Sequence, residues 1–549
     1  MVALPQSDGA QSASTPAHQL PATAAHNELP PAVDYKQEVR FAVVMYGGVS
    51  LAIYINGIAQ EMLRWVRSTA KAANADLALL PSNSSASASA ESELSLSGTE
   101  RVYRKLSYIL AARRTGNESA AELLAQAENY LADNETIRTR FVVDILSGTS
   151  AGGINGIFLG KALANGQDIG GLQNLWIAEG DMKTLINDKQ SVKGRPLKLQ
   201  NPPASLLNSQ RMYLELLKAF DSMETTGSAT PTPFVDELDL FVTTTDLSGV
   251  TLPIRLSDGV VYERRHRNVL RFAYSNKDAS AEAKDRNDFE AKFNPFLAYA
   301  ARCTSAFPAA FEPMCLCDTD TILNSYLPYA NNENCRSDSN EWQRFYKDYL
   351  NPAGVNTVKF PKRAFADGGY LDNKPFTYAT ETVARRQADL LVTRKLIYIE
   401  PSPEHPEEQP DAEVKPDAIE NVGAALLSLP RYETIREDLQ RVRDHNRLVE
   451  RVNSILKSVE VDKKLAQPPI KSRFNDEEWG KLDLADVVRE KGVGYVAYHR
   501  LDISAVSDDL AKLVTRVAGF DEESDHRSEE RRIGKECGYQ CRSRWSPYH

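Results

Sequence analysis

Residues 141–152 read FVVDILSGTSAG, and this stretch decides the fold of the chain. Its first half is an apolar run typical of a buried strand, and residues 154–159 follow it with helical spacing. Gly148 and Gly152 flank Ser150 in the pattern Gly-x-Ser-x-Gly, where the glycines tolerate a crowded strand-to-helix corner and the serine points outward. The stretch therefore predicts a strand, a sharp turn that presents the Ser150 hydroxyl, and a helix.

The predicted helix begins beside this hydroxyl, at Ala151. Its first turn presents backbone N–H groups that have no partner within the helix, together with a partial positive charge. Such groups stabilise the negative charge that develops on a carbonyl oxygen during acyl transfer. Ser150 is therefore a candidate nucleophile, and the N–H of Ala151 is a candidate donor to an oxyanion.

A second glycine-containing turn lies upstream. Residues 41–45 read as another buried strand, and residues 46–50 continue as YGGVS. The backbone N–H groups of Gly47, Gly48 and Val49 can point into a shared cavity and stabilise an oxyanion. The alternative is a turn of a nucleotide-binding fold, but the sequence has neither Gly-x-Gly-x-x-Gly nor a Gly-Lys-Ser/Thr after either glycine cluster.

A candidate general base lies far downstream. Residues 364–370 read AFADGGY, so Asp367 stands between a short apolar run and the turn Gly368-Gly369. A carboxylate that accepts a hydrogen bond from a serine hydroxyl can act as a base without a histidine when its pKa is suitably tuned. The alternative is an ordinary Asp-Gly turn.

Taken together, these three segments resemble the patatin-like phospholipase family, which has a Ser-Asp dyad, Gly-x-Ser-x-Gly and Asp-Gly-Gly/Ala motifs and a glycine-rich oxyanion loop. The resemblance implies that Ser150 is the nucleophile, that Asp367 is the base, and that Gly47, Gly48 and Val49 line the oxyanion loop. It also implies a three-layer α/β hydrolase fold with a central mixed or parallel sheet, and a dyad that needs no cofactor and no metal.

The resemblance extends from residue 38 to residue 400 and includes the block ARCTSAFP at residues 301–308. One departure concerns the oxyanion loop, which in the family usually has three glycines followed by an arginine or lysine. Here Tyr46 replaces the first glycine, and residues 49–52 carry no basic side chain. The variant GGVSLA is similar to that of a bacterial patatin-related subgroup.

The dyad has an alternative in a Ser-Asp-His triad, whose chain order in α/β-hydrolases places the histidine after Asp367. His405 lies in an acidic, proline-rich linker, His445 on the polar side of a predicted helix, and His499 after a short apolar segment. Only His499 has even a weak sign of a positioned loop. The dyad is therefore favoured.

Composition shifts divide the chain into five predicted regions. They are a disordered tail at 1–37, a hydrolase domain at 38–400 with a Ser-rich insertion at 81–98, a Pro/Glu-rich linker at 401–417, a mainly helical region at 418–526 and a tail at 527–549. Apolar positions between Ile435 and Leu456 predict an amphipathic helix. The last region resembles translated sequencing-adapter sequence, so we expect the helical region to be truncated.

Hydrophobic periodicity predicts further elements between the motifs. They are helices at 172–187 and 206–220, strands at 238–245, 260–262, 270–274 and 394–400, and a turn at 246–249.

Composition and charge restrict the partners. The chain has 549 residues, of which 42% are hydrophobic and 26% charged, as in globular proteins, and its net charge of −10 disfavours nucleic acid. The sequence has no apolar run of about eighteen residues that could span a bilayer, and its first 37 residues lack the pattern of a signal peptide. We expect a cytoplasmic location, with peripheral contact to a membrane surface as an option. The sequence indicates no protein partner.

Two clusters of reactive or charged side chains lie outside the predicted site. Residues 264–267 read RRHR and can contact lipid headgroups, although a solvated strand end is the favoured interpretation. Cys303, Cys315, Cys317 and Cys335 do not follow the Cys-x-x-Cys spacing of zinc sites, so no metal site is predicted.

The sequence thus predicts a serine lipid acyl hydrolase of the phospholipase A or lysophospholipase type. Phospholipids, lysophospholipids, neutral glycerolipids and simple esters are all candidate substrates. The alternative is a catalytically weak or inactive lipid-binding module, which is suggested by the missing basic residue of the oxyanion loop and by the additional helical region.

Overall fold

The computed structural model describes most of the first 400 residues and a helix in the C-terminal part. The described ranges are 37–48, 52–70, 98–113, 139–179, 182–199, 202–224, 232–276, 286–308, 310–350, 357–386, 391–400 and 435–465, with single residues 122, 417, 506, 507 and 510. Several predicted features lie outside them, namely nearly all of 1–37 and 81–98, the linker 401–417 except its last residue, the tail 527–549, Val49, His405 and His499. The chain divides into two compact units, residues 1–433 and 434–549. The five predicted region boundaries stay predictions.

The strands of the first unit form one mixed sheet. In the described residues they are β1 Gln37–Met45, β2 Thr139–Gly148, β3 Glu237–Arg255, β4 Val260–Ser275, β5 Arg286–Asn287, β6 Phe365–Asp367 and β7 Leu391–Ile399. Their order is β5-β4-β3-β2-β1-β7, and β6 also pairs with β3. Strands β7, β1, β2 and β3 run parallel, whereas the pairs β3–β4, β3–β6 and β4–β5 are antiparallel. The predicted α/β fold is confirmed.

The helices alternate with these strands along the chain. In the described residues they are α1 Ala52–Ser68, α2 Gly98–Arg113, α3 Ala151–Asn165, α4 Gly170–Glu179, α5 Met182–Leu185, α6 Ser209–Met223, α7 Asn294–Thr304, α8 Thr319–Ser325, α9 Gln343–Leu350, α10 Phe376–Arg385 and α11 Arg436–Leu465. The helix predicted at 172–187 is two helices, α4 and α5. Helix α11, in the second unit, confirms the helix predicted between Ile435 and Leu456.

Side chains of β3 alternate between two helical layers. Leu240 and Val242 lie against the glycine-containing face of α3. Phe241, between them, stacks on Tyr378 of α10, with ring centroids 5.6 Å apart. Because successive strand side chains point to opposite faces, α3 and α10 cover opposite sides of the sheet.

Helix α3 is buried along its whole length, so it lies inside the first unit rather than on its surface. It packs against the sheet on one side and against α1 and α7 on others, and its Phe158 stacks on Phe220 of α6 at 4.0 Å. Burial of an entire helix against several neighbours fixes its position. The residue at its N-terminus, Ser150, is therefore fixed as well.

The turn predicted at residues 246–249 is wrong, because β3 continues through them to Arg255. Pairing with β4 shifts between Thr245 and Val250, so the four residues form a bulge and the chain does not reverse. The strands predicted at 260–262 and 270–274 are likewise not separate elements, because both are segments of the single strand β4.

The bulge is held by a buried carboxylate. Asp246 accepts hydrogen bonds from the N–H groups of Ser248 and Gly249, and the guanidinium of Arg363 donates to it. Gly249 has a φ of 67°, which suits the extra residues of a bulge. Residues 246–249 therefore carry the sequence signal of a turn, but their hydrogen bonds bend strand β3 and do not reverse the chain.

Candidate active site

The chain turns sharply at Ser150, between β2 and α3. Ser150 has φ 53° and ψ −123°, and among the described residues it is the one non-glycine residue with positive φ. Such a backbone conformation costs about 1–3 kcal/mol and persists only where the surroundings impose it. It is the strained strand-to-helix geometry that exposes a nucleophile in Gly-x-Ser-x-Gly turns.

The two glycines of the turn are required by close backbone approaches. A Cβ atom on Gly148 would lie 2.5 Å from the carbonyl oxygen of Gly152. A Cβ atom on Gly152 would overlap the backbone carbonyl of Met45, at the end of β1. The turn is therefore compressed between its own helix and the neighbouring strand, which leaves no room for a side chain at either position.

Thr304, the last residue of α7, holds the backbone of the candidate nucleophile, Ser150. The N–H of Ser150 donates to Oγ1 of Thr304 at 2.8 Å, and the Thr304 hydroxyl donates to the carbonyl of Thr243 on β3 at 2.8 Å. This N–H is consequently already paired. Sequence reasoning missed Thr304, although it lies inside the block at 301–308.

Asp367 comes to the same place because β2 and β6 share one edge of β3. Gly148, at the end of β2, pairs with Val242, and Asp367, at the end of β6, pairs with Thr244. The two strand ends therefore meet two residues apart on β3. This register brings the candidate nucleophile and the candidate base together.

The carboxylate of Asp367 is buried, with the residue 2% exposed. Its Oδ1 accepts the N–H of Gly369 at 2.7 Å. The Ser150 hydroxyl is close enough to lower the pKa of this carboxylate, but no hydrogen bond of ordinary geometry joins the two side chains. The other carboxylate oxygen, Oδ2, is buried and has no hydrogen-bond partner within the described part of the chain. Oδ2 is thus the carboxylate oxygen available to a proton.

Burial raises the pKa of Asp367 from its usual value of 3.8 to about 7. The dominant cause is loss of hydration, which disfavours the charged form. The Gly369 N–H, the Ser150 hydroxyl and the positive charge of Arg302 each lower this pKa and partly offset the effect of burial. A base with a pKa near neutrality is well matched to proton transfer at physiological pH.

The glycine turn after β1 packs directly on the candidate nucleophile. A Cβ atom on Gly47 would lie 3.2 Å from the Cβ of Ser150, and the Gly47 N–H donates to the carbonyl of Asn373 at 3.3 Å. In the described residues, the N–H groups of Gly48 and Ala151 have no hydrogen-bond partner. Of the predicted donors, these two are therefore available, while Val49 is not described.

A positive charge is also found near this turn. The ammonium of Lys374 lies 5.3 Å from the centre of the Tyr46 ring and 3.4 Å from the carboxylate of Glu400. Residues 49–52 lack a basic side chain, but another segment places one next to the turn. Sequence reasoning missed Lys374 because it lies far along the chain from the predicted oxyanion loop.

Arg302 is a fully buried charged group near the candidate base. Its guanidinium donates to the hydroxyl of Ser209 and to the carbonyl of Glu312, and it lies 4.4 Å from the centre of the Phe311 ring. Loss of hydration lowers the pKa of Arg302 to about 10, and the charge of Asp367 is among those that raise it. The only sequence signal is one basic residue in an apolar helix.

Cys315, Cys317 and Asp318 form the one group of three metal-ligand side chains among the described residues. Their ligand atoms lie within 4.8 Å of one another, but Asp318 is exposed. The fourth ligand of a tetrahedral zinc site is not supplied by Cys303, whose sulfur instead faces the carbonyl of Met314 at 3.9 Å. These residues do not make a zinc site of the usual kind.

Comparison with known proteins identifies the family. Residues 120–380 match the family model described as Patatin-like phospholipase, a span that includes Ser150 and Asp367 but not Gly47 and Gly48.

A curated relative, the uncharacterized membrane protein Rv3479 of Mycobacterium tuberculosis, is 28% identical over 435 residues, or 76% of this chain. The chain spans 33% of the length of that relative. No solved structure matches the chain significantly.

None of the described helices combines the length and the apolar character that crossing a bilayer requires. Residues 120–380, which hold strands β2 to β6 of the mixed sheet, therefore form a patatin-like phospholipase domain.

Proposed function

We propose that this protein is a serine lipid acyl hydrolase that uses a dyad of Ser150 and Asp367. One observation carries the proposal: a serine held in a strained turn interacts with a buried carboxylate whose pKa is raised to about 7. Strained backbone and a shifted pKa at one place are typical of catalytic sites.

In the first half of the reaction, Oγ of Ser150 attacks the ester carbonyl carbon, and its proton moves to Oδ2 of Asp367. The carbonyl oxygen becomes an oxyanion, which the N–H groups of Gly48 and Ala151 bind. Collapse of this intermediate breaks the bond to the alcohol, which leaves with the proton from Asp367. An acyl group stays bound to Ser150.

In the second half, water attacks the acyl carbon and gives a proton to Asp367. Collapse of the second intermediate releases the fatty acid, and the proton returns to Oγ of Ser150. Both halves need a base that holds a proton briefly and releases it again. A pKa near 7 lets one carboxylate do both at neutral pH.

The substrate class rests on the matching family, which is described as Patatin-like phospholipase. The proposed substrates are esters of lipids, which include phospholipids, lysophospholipids and neutral glycerolipids. The reaction uses protein groups alone, since base, nucleophile and oxyanion donors all come from this chain.

A lipid-binding module without turnover is the second candidate. It is favoured by the Gly47 N–H, which is engaged by Asn373 and so is withdrawn from an oxyanion site. The N–H groups of Gly48 and Ala151 weigh against it, because two donors are enough for an oxyanion hole.

The test is hydrolysis of a water-soluble chromogenic ester, together with labelling by a fluorophosphonate, which reacts with activated serine hydroxyls. Ser150→Ala and Asp367→Asn should each lower kcat/KM by at least about a thousandfold. Ser325→Ala and Asp338→Asn, at exposed positions outside the candidate site, serve as matched controls and should be unchanged. Equal background from all five proteins, with no labelling of Ser150, would favour the binding module.

A further inference from the structure

We infer that the β3–β4 ribbon, residues 250–265, docks this protein onto the surface of a membrane that contains anionic phospholipids. The ribbon begins after the bulge at residues 246–249 and lies outside the residues assigned to catalysis. The inference rests on the proposed function for its purpose, because docking would bring the candidate active site to its lipid. The observations that support docking, and the vesicle experiment that tests it, are separate from those for the proposed function.

The ribbon is a two-stranded hairpin that leaves the sheet. Val250 pairs with Arg265, and pairing continues to Arg255 and Val260, where Leu256 N–H donates to the carbonyl of Gly259 at 2.8 Å and closes the turn. Among the described strands, no other pairs with these residues. A hairpin with two open edges is marginally stable in water unless it packs on something.

The end of the ribbon is apolar on both faces. Directly paired residues point to the same side of a hairpin, so Ile254 and Val261 share one face, and Pro253 and Tyr262 share the other. All are exposed: Ile254 is 40% exposed and Tyr262 69%. The turn adds a further exposed apolar side chain, Leu256. A cluster of this kind at a surface indicates a binding site for apolar material.

Basic residues flank this apolar end, although the chain as a whole is acidic. The ribbon, residues 250–265, holds three arginines and two acidic residues in a chain of net charge −10. The guanidinium of Arg363 donates to the Gly249 carbonyl at 2.6 Å, so exposed Lys359 and Lys362 lie on the segment that meets the ribbon's base. Apolar side chains that enter the acyl region, with cations at headgroup level, match an anionic membrane surface.

The projecting length suits a membrane interface. Leu252 still packs against the core of the first unit, so the part that projects begins at Pro253. From Pro253 to Arg255 the ribbon extends by about 7 Å at 3.3 Å per residue, within the depth of about 5–10 Å at which interfacial elements lie in a bilayer. Tyrosine is favoured at that depth because its ring is apolar and its hydroxyl is polar.

The ribbon also projects from the end of the sheet at which the candidate dyad lies. Strand β2 ends at Gly148, opposite Val242, whereas β3 continues past that point into the ribbon. Ser150 and Asp367 lie at this same end of the sheet, where β2 and β6 end. A membrane bound by the ribbon would thus face the end of the sheet that carries the candidate dyad.

The test is cosedimentation of the full chain with vesicles of phosphatidylcholine containing phosphatidylserine, and with vesicles of phosphatidylcholine alone. We expect binding to the anionic vesicles that weakens with added salt. The triple variant Ile254→Ser, Leu256→Ser, Tyr262→Ser should reduce the partition coefficient by at least about tenfold, and so should Arg255→Glu with Arg264→Glu. Leu327→Ser, at an apolar residue that is 89% exposed elsewhere, is the matched control and should bind like the wild type.

Hydrolysis of a water-soluble ester separates this inference from the proposed function. If the triple variant keeps that activity and loses vesicle binding, docking through the ribbon is supported. If wild type binds vesicles through the ribbon but hydrolyses no ester, docking stands and the proposed function fails. Equal vesicle binding by wild type and triple variant overturns the inference. A wild-type dimer in vesicle-free light scattering that the triple variant converts to a monomer also overturns it, because the ribbon then binds a second copy.

Discussion

The buried guanidinium of Arg302 attracts the buried carboxylate of Asp367, although no hydrogen bond joins the two side chains in the described structure. Arg302 is held by Ser209 and Glu312, so its charge acts on Asp367 from a fixed place. It opposes the effect of burial and keeps the pKa of Asp367 from rising further. The proposed base is therefore tuned by two opposing effects.

The activity should depend on pH through Asp367. Below a pH of about 7 the carboxylate is protonated and cannot accept the proton of Ser150, so kcat/KM for a soluble ester should rise as pH passes through about 7. A pH–rate profile covering about two units on either side tests this. A flat profile across that range would exclude Asp367 as the base.

Arg302→Met should move this profile to higher pH. Without the positive charge, only the Gly369 N–H and the Ser150 hydroxyl oppose the effect of burial, so the pKa of Asp367 should rise. Arg302→Lys keeps the charge and should move the midpoint less. The measurement is the midpoint of kcat/KM against pH, which a purely structural role would not displace. Identical midpoints in wild type and Arg302→Met would show that the charge of Arg302 does not act on the base.

The strain at Ser150 should appear in stability measurements. Glycine adopts positive φ without steric cost, whereas alanine does not, and both remove the hydroxyl. Ser150→Gly should therefore be more stable than Ser150→Ala by about 1 kcal/mol, after allowing for the larger entropy of glycine in the unfolded chain. Urea denaturation of the two variants checks this. Equal unfolding free energies would mean that the turn relaxes without the serine.

Thr304→Val should impair catalysis more than substrate binding. Valine has a similar shape but leaves the Ser150 N–H and the Thr243 carbonyl without their partner, so the nucleophile loses its fixed orientation. We expect kcat to fall by about tenfold or more with a smaller change in KM. Thr304→Ser restores the hydroxyl and should recover most of the activity. A Thr304→Val enzyme with unchanged kcat would argue against this positioning role.

Gly152→Ala should prevent folding or destabilise the protein by about 3 kcal/mol or more, because its Cβ would overlap the Met45 carbonyl. Gly57→Ala is the matched control. Gly57 lies in α1 with open space around it, so alanine there should stabilise the protein by about 0.5–1 kcal/mol. Thermal unfolding of both variants measures the difference. A stable Gly152→Ala protein would show that the turn is less compressed than described.

Local patterns were enough to predict the elements around Ser150. The apolar run of β2, its glycines and the helical spacing of α3 are all contiguous, so their strand, turn and helix follow from neighbouring residues. The long helix α11 was also predictable, because its periodicity extends over many turns. In each case the sequence pattern lies in the same residues as the strand, turn or helix that it predicts.

Other features depend on residues far apart in the chain. Strand β6 has three residues and no periodicity of its own, and only its pairing with β3 gives Asp367 its place. Thr304 and Arg302 belong to a helix whose composition indicates core packing, so their contacts to the site are set by tertiary structure. The bulge at 246–249 has the residues of a turn, and the long partner strand β4 decides the outcome.

One consequence of the shared edge on β3 concerns tolerance to changes of chain length. The proposed nucleophile and base are aligned by three consecutive β3 residues, from Val242 to Thr244, and not by the segments that connect β2, β3 and β6. Insertions or deletions in those connections can accumulate while the distance between hydroxyl and carboxylate is conserved. A slip of β3 by one residue, in contrast, would reverse which side chains face each layer and would separate the pair.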